Sequence, residues 1–192
     1  MALSIKIVTT NGIVRQFYQS DGELIQALIH RLKHRSNIFT SSSFVLSSEL
    51  QTEVFSPKYI ATIELNWNHF ESLKLIPTGL DFVAIGANEA DYAFDLDLES
   101  DLNSESENES NRTKVQFYFV GGHSITTELI VDQREIPPAE QTQRILKSFE
   151  QPVIYYQTES GFGLINPRVM TRMILTPFAR HLPTETIFVD DY

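Results

Sequence analysis

The 192-residue chain contains no cysteine. Disulfides, thiolate catalysis and cysteine-ligated zinc or iron–sulfur centres are therefore excluded, and a reducing compartment suits the chain. Long apolar runs are missing as well. Nothing approaches the ~18 consecutive apolar residues that span a bilayer. The opening MALSIKIVTTNG has an apolar stretch too short and too interrupted for a signal peptide. The expectation is a cytoplasmic protein. Phosphate cradles are absent too: Gly121-Gly122-His123 and Gly161-Phe162-Gly163 lack the GxGxxG spacing, and both read as turns. No GxSxG elbow occurs, and His123 and Ser124, as strand neighbours, point to opposite faces and form no dyad.

Positive charge is missing from one region. Between Leu75 and Asn111 there is no lysine or arginine, but ten acids: Asp81, Glu89, Asp91, Asp95, Asp97, Glu99, Asp101, Glu105, Glu107 and Glu109. The remainder holds 25 − 10 = 15 acids against 15 bases, so the whole net charge of −10 lies in this segment. Its core, DLDLESDLNSESENESN at 95–111, has three leucines as its whole apolar content, too little to anchor a fold, and repels itself, which reads as a solvated acidic loop. Asp95, Asp97, Glu99, Asp101, Glu105, Glu107 and Glu109 are the candidate contacts for a partner with a basic surface. The run resembles a calcium loop only in part. An EF-hand starting at Asp95 needs glycine and glutamate where Ser100 and Ser106 stand.

What is present is mostly folding signal. Hydrophobic residues make up 42% of the chain, with Phe 13 and Tyr 7, enough for a packed core. LSIKIVT alternates as a half-buried strand, Asn11-Gly12 marks a hairpin turn, and IVRQFYQ returns. Ser20 and Glu23 make a capping box for a helix to about Arg35, with Leu24, Ile25, Leu28, Ile29 and Leu32 on its apolar face. IFTSSSFVL and KYIATIEL read as further strands. In the second half KVQFYFV, Gly121-Gly122 and SITTELIV repeat the hairpin signal. Pro137-Pro138 starts a helix whose apolar face is Ile145, Leu146 and Phe149. PVIYYQ and FGLIN then lead to Pro167.

Two phrases correspond: FSPKYIATIEL at 55–65 and INPRVMTRMIL at 165–175, with 165 − 55 = 110. Gly12 to Pro57 and Gly122 to Pro167 are equal intervals. The expected fold is α+β, two similar β-hairpin–helix–β halves, an internal duplication, packed together and joined by the acidic loop. Residues 1–75 form the first half, 76–111 the connecting segment and 112–192 the second half.

Chemistry-bearing groups are few. His30 and His34 share a helix face, but HExxH is absent, and Arg31, Lys33 and Arg35 make the 30–35 segment a cationic helix end suited to the helix dipole. Trp67 reads as a core or edge aromatic in preference to a partner anchor. No catalytic residue, metal ligand or cofactor is assigned. The function expected is a non-enzymatic interaction, adaptor or assembly protein, with another protein as partner, homo-oligomers allowed and no membrane span. The competing reading is a small enzyme whose site assembles only in three dimensions, around His123 and His181. A third is nucleic-acid binding through the basic helix end, which an acidic chain disfavours.

Overall fold

Asn11-Gly12 turns the chain back on itself because Gly12 adopts φ +82°, a conformation open to glycine. The strands it joins are β1 (Leu3–Thr9) and β2 (Val14–Gln19), which begin a computed structural model describing residues 2–34, 38–47, 51–67, 80–85, 113–131 and 138–176. The following helix, α1 (Gly22–His34), is capped by Asp21 and not by Ser20. The Asp21 carboxylate accepts from the amides of Glu23 at 2.9 Å and Leu24 at 3.0 Å. Then come β3 (Phe44–Ser47), β4 (Thr52–Phe55), a 3-10 turn (Pro57–Tyr59), β5 (Ile60–Asn66) and β6 (Leu80–Ala84). The remainder is β7 (Thr113–Phe119), β8 (Ser124–Val131), α2 (Pro138–Leu146), β9 (Ile154–Thr158), β10 (Gly161–Ile165), a 3-10 turn (Pro167–Val169) and β11 (Met170–Thr176).

This is a mostly β chain, which corrects the expected α+β class. Among the described residues eleven strands stand against two short helices. Nine strands share one mixed sheet in the order β11-β7-β8-β6-β9-β10-β5-β1-β2, and β3–β4 forms a separate two-stranded ribbon. Strands from both halves therefore join edge to edge in one sheet, β5-β1-β2 at one end and the later strands, with β6 among them, at the other, in place of two halves packed as separate α+β units. The physical reason is burial. Gly161-Phe162-Gly163 is no turn, because Gly161–Ile165 is buried at every position and sits between β9 and β5. Such a two-sided strand carries no alternating pattern to announce it.

Strand parity places two cores on opposite faces of the sheet. On β10, Phe162 and Leu164 join Ile5, Ile7, Ile63 and Leu65 beneath α1, which contributes Ile25, Ile29 and Leu32. Ile165 points the other way, with Phe82, Phe117, Phe119, Leu129 and Tyr156, the core to which α2 contributes Ile145. Of the expected α2 face only Ile145 is buried, while Leu146 and Phe149 are exposed. Leu24 likewise faces outward from α1. Trp67 is partly buried against the first core. Burying each large aliphatic side chain stabilises by about 1.5–3 kcal/mol.

One correspondence runs through this sheet. β5 pairs with β1 so that Thr9 faces Ile60 and Ile7 faces Ile63, while β11 pairs with β7 so that Phe119 faces Met170 and Phe117 faces Met173. Each residue differs from its counterpart by 110 (119 − 9, 170 − 60), and both ladders shift register just after that first pair. The turn bonds follow suit. The Thr9 amide donates to Ile13 O and that of Phe119 to His123 O, both at 2.9 Å. Thr10 donates to Tyr59 O and Val120 to Val169 O, again both at 2.9 Å.

Candidate functional site

On the sheet face opposite α1, β1 and β5 bring Lys6 against Glu64, a direct cross-strand pair. Their ammonium and carboxylate meet at 2.9 Å, with the side chains 36% and 17% exposed. The second oxygen of Glu64 accepts from the phenol of Tyr156 at 2.9 Å. Tyr156 stands on β9, with β10 lying between it and β5, a separation of about 10 Å at ~4.8 Å per strand. The ring can cross because Gly163 occupies the intervening position: a Cβ there would overlap the Tyr156 ring itself. Thr158 crosses the same strand over Gly161 to reach the Asn66 side chain at 3.2 Å. Nearer the edge, Gln16 donates to Ser4 at 3.0 Å. Burial first, and then the Glu64 carboxylate, push the Tyr156 phenol far above its usual pKa, so it remains a donor.

His123 follows the β7–β8 turn. Its backbone amide donates to Thr10 O at 3.1 Å, joining the two hairpin turns. Its ring lies along Gly12, with Nδ1 3.6 Å from where a Cβ would be, and stacks on Phe119 at 5.9 Å between centroids. Gly121, at φ +122°, lets the turns approach, since a side chain there would meet Thr10 O. The His123 Nε2 is buried and has no hydrogen-bond partner among the described residues. Desolvation, aided by Lys6 and opposed by Glu64, holds the imidazole below its usual pKa, in the neutral form.

Asn166 ties the two 3-10 turns together. It is fully buried. Its Nδ2 donates to Pro57 O and Ile60 O, each at 2.9 Å, and its Oδ1 accepts from the Arg168 amide at 3.2 Å. The asparagine before Pro167 is thus the residue in INPRVMTRMIL with a distinct task, whereas Ser56, before Pro57, makes no side-chain cap.

Of the residues singled out in the sequence, His123 is brought within electrostatic reach of Lys6 and Glu64. Asp95, Asp97, Glu99, Asp101, Glu105, Glu107, Glu109 and His181 lie outside the described residues, as does the His34 side chain. Lys6, Glu64, Tyr156 and Asn166 carried no linear motif. Their signal is three-dimensional, apart from the alternating glycines opposite a tyrosine.

The outer end of the sheet is different in kind. β2 is exposed along most of its length, with Val14 51% and Tyr18 69% exposed on one face. Its other face holds the ribbon, through Phe17 edge-on to Phe55 at 6.0 Å and Arg15 against Glu53 at 3.5 Å. The ribbon in turn presents the cross-strand pair Val45 and Val54, 50% and 66% exposed. Comparison with protein families, with curated proteins and with solved structures finds no match. Among the described residues no helix is long and apolar enough to cross a membrane.

Proposed function

We propose that the protein is a non-enzymatic interaction or assembly module of the cytoplasm, docking another protein on the β2 edge and the outer face of the β3–β4 ribbon. The observation that carries this reading is the exposure of Val14, Tyr18, Val45 and Val54 on regular strands. Aromatic and aliphatic side chains held on a rigid sheet are the usual anchors of a protein interface. The acidic run 95–111 adds long-range attraction for a basic partner, acting chiefly on the association rate and screened by salt. A reducing compartment suits a chain without cysteine.

A photoreactive residue placed at position 54 or 18 tests the proposal in native cells. Each should yield a discrete covalent adduct with a macromolecule, and a probe at exposed Glu150 should not. Absence of adducts at both strand positions would contradict it. A second reading, an enzyme centred on His123, is supported by the unpartnered Nε2 beside an ion pair. It requires small molecules to shift the His123 imidazole resonances, and a metabolite panel that leaves them unmoved rules against it.

A further inference from the structure

The two ends of the sheet are built differently. β11 carries a register shift after Met170, and the Arg172 guanidinium sits 4.2 Å over the Tyr118 ring. Bulges and cations are devices that discourage edge-to-edge pairing. β2 has neither a bulge in its register with β1 nor a glycine or proline, and its single charge is Arg15. It also lacks acids, in a chain whose net charge is −10. Six regular residues at the end of the sheet that the described residues form, four of them exposed, make a template for another strand.

We infer that β2 pairs antiparallel with β2 of a second copy of this chain, about a two-fold axis through Gln16. The argument is self-complementarity. In an antiparallel pair facing residues point to the same side, so a two-fold axis must pass through a residue position. Centred on Gln16, the register sets Val14 opposite Tyr18 of the other copy, twice, and Arg15 opposite Phe17. The strand's two exposed apolar side chains then cover each other, each guanidinium meets a ring, and the Gln16 amides face one another. Centred on Phe17, Tyr18 would oppose Gln16 and Val14 would oppose Ser20, leaving both apolar groups against polar ones. Arg15 is 58% exposed and so is free to reach across while Glu53 neutralises it.

This self-pairing rests on the reading of the protein as an interaction module, but it fails separately from it. Because the chain has no cysteine, single cysteines report register without background. Disulfide formation needs Cα atoms about 4.4–6.8 Å apart. Gln16→Cys should therefore cross-link to a species of twice 22.0 kDa on mild oxidation. Val14→Cys alone and Tyr18→Cys alone, offset by about 13 Å at ~3.3 Å per residue, should not, while an equimolar mixture of the two should. Sedimentation should give a dimer for the unmodified chain, and Tyr18→Lys should raise its dissociation constant at least tenfold. A monomer at all concentrations, or cross-linking by Val14→Cys alone, overturns the pairing. An adduct with a different protein at position 54 would then leave the interaction module standing, whereas loss of adducts at both 54 and 18 removes that reading as well.

Discussion

The hairpins β3–β4 and β9–β10 have the same internal register and opposite fates. Phe44 faces Phe55 and Val45 faces Val54 in the first, and Ile154 faces Ile165 and Tyr155 faces Leu164 in the second, each residue 110 positions on (154 − 44, 165 − 55). The first stays outside the main sheet as a ribbon with Val45 and Val54 in solvent; the second is inserted between β6 and β5. Backbone pairing therefore does not decide which hairpin enters the sheet. Side chains at corresponding places do. Where β10 has Gly161 and Gly163, β4 is preceded by Gln51 and contains Glu53, and where β9 has Tyr156, β3 has Leu46. The glycines admit the neighbouring backbone and the tyrosine ring, and the tyrosine supplies the bond to Glu64. The same contrast extends to the partners, since Lys6 and Glu64 correspond to Gln116 and Ile174. An ion pair joined to a phenol occupies one set of positions, and the uncharged pair Gln116 and Ile174 the other.

The sharpest way to break this contrast is to remove the glycines. A Cβ at Gly161 would overlap the Leu65 carbonyl, which is backbone and cannot swing aside. Gly161→Ala should cost about 3 kcal/mol, at the upper end for overpacking. Gly163→Ala should cost slightly less, since the Tyr156 ring can move. Gln51→Ala and Glu53→Ala, at the corresponding exposed and half-buried sites, should stay within about 1 kcal/mol. Thermal melting of the four variants measures the difference.

Next in size is Asn166 against Ser56. Asn166→Ala strips two buried carbonyls, Pro57 O and Ile60 O, of their side-chain donor, a loss of about 2–3 kcal/mol by denaturant unfolding. Ser56→Ala should be near neutral, because the Ser56 side chain makes no cap bond. Tyr156→Phe comes third. It leaves one Glu64 oxygen without its phenol donor and should cost about 1.5 kcal/mol, whereas the coupling of Glu64 to Lys6, a partly exposed pair, should be less than ~1 kcal/mol in a double-mutant cycle that uses Glu64→Gln.

The smallest effect is a pH dependence at His123, whose counterpart in the first turn is Ile13. Its folded pKa lies below the unfolded value of about 6.5, so the unfolded chain takes up the proton first. Stability is then fully present above that value and is lost as pH falls through 6.5 toward the folded pKa. His123→Ile should flatten the stability profile between pH 7 and 5 relative to the parent chain.

These contrasts also show what was legible beforehand. Both hairpin turns, the strands around them and the proline that opens α2 follow from local chemistry, because Gly12, Gly122 and Pro138 act on their own backbone. The capping residue was misread by one position: Asp21 and Ser20 are adjacent candidates, and only the helix start distinguishes them. The fold class was not legible. β6, β9 and β10 are held by partners far away in sequence, and a fully buried strand lacks the alternation that reveals an edge strand. Of the site, His123 stood out as a histidine between turns. Lys6 meets Glu64 through the long-range pairing of β1 with β5, and Tyr156 reaches Glu64 only because Gly163 leaves β10 thin enough to be crossed.

Amide hydrogen exchange on the unmodified chain tests the central contrast most directly. Phe162, Leu164 and Ile165, at the heart of the inserted hairpin, should exchange only through global unfolding, with protection matching the overall stability. Thr52, Val54 and Phe55, at the corresponding positions in the ribbon, should exchange through local opening, at least a hundredfold faster. Equal protection in the two hairpins, or faster exchange in β10, would contradict the account of how glycine and tyrosine bring one of them into the sheet.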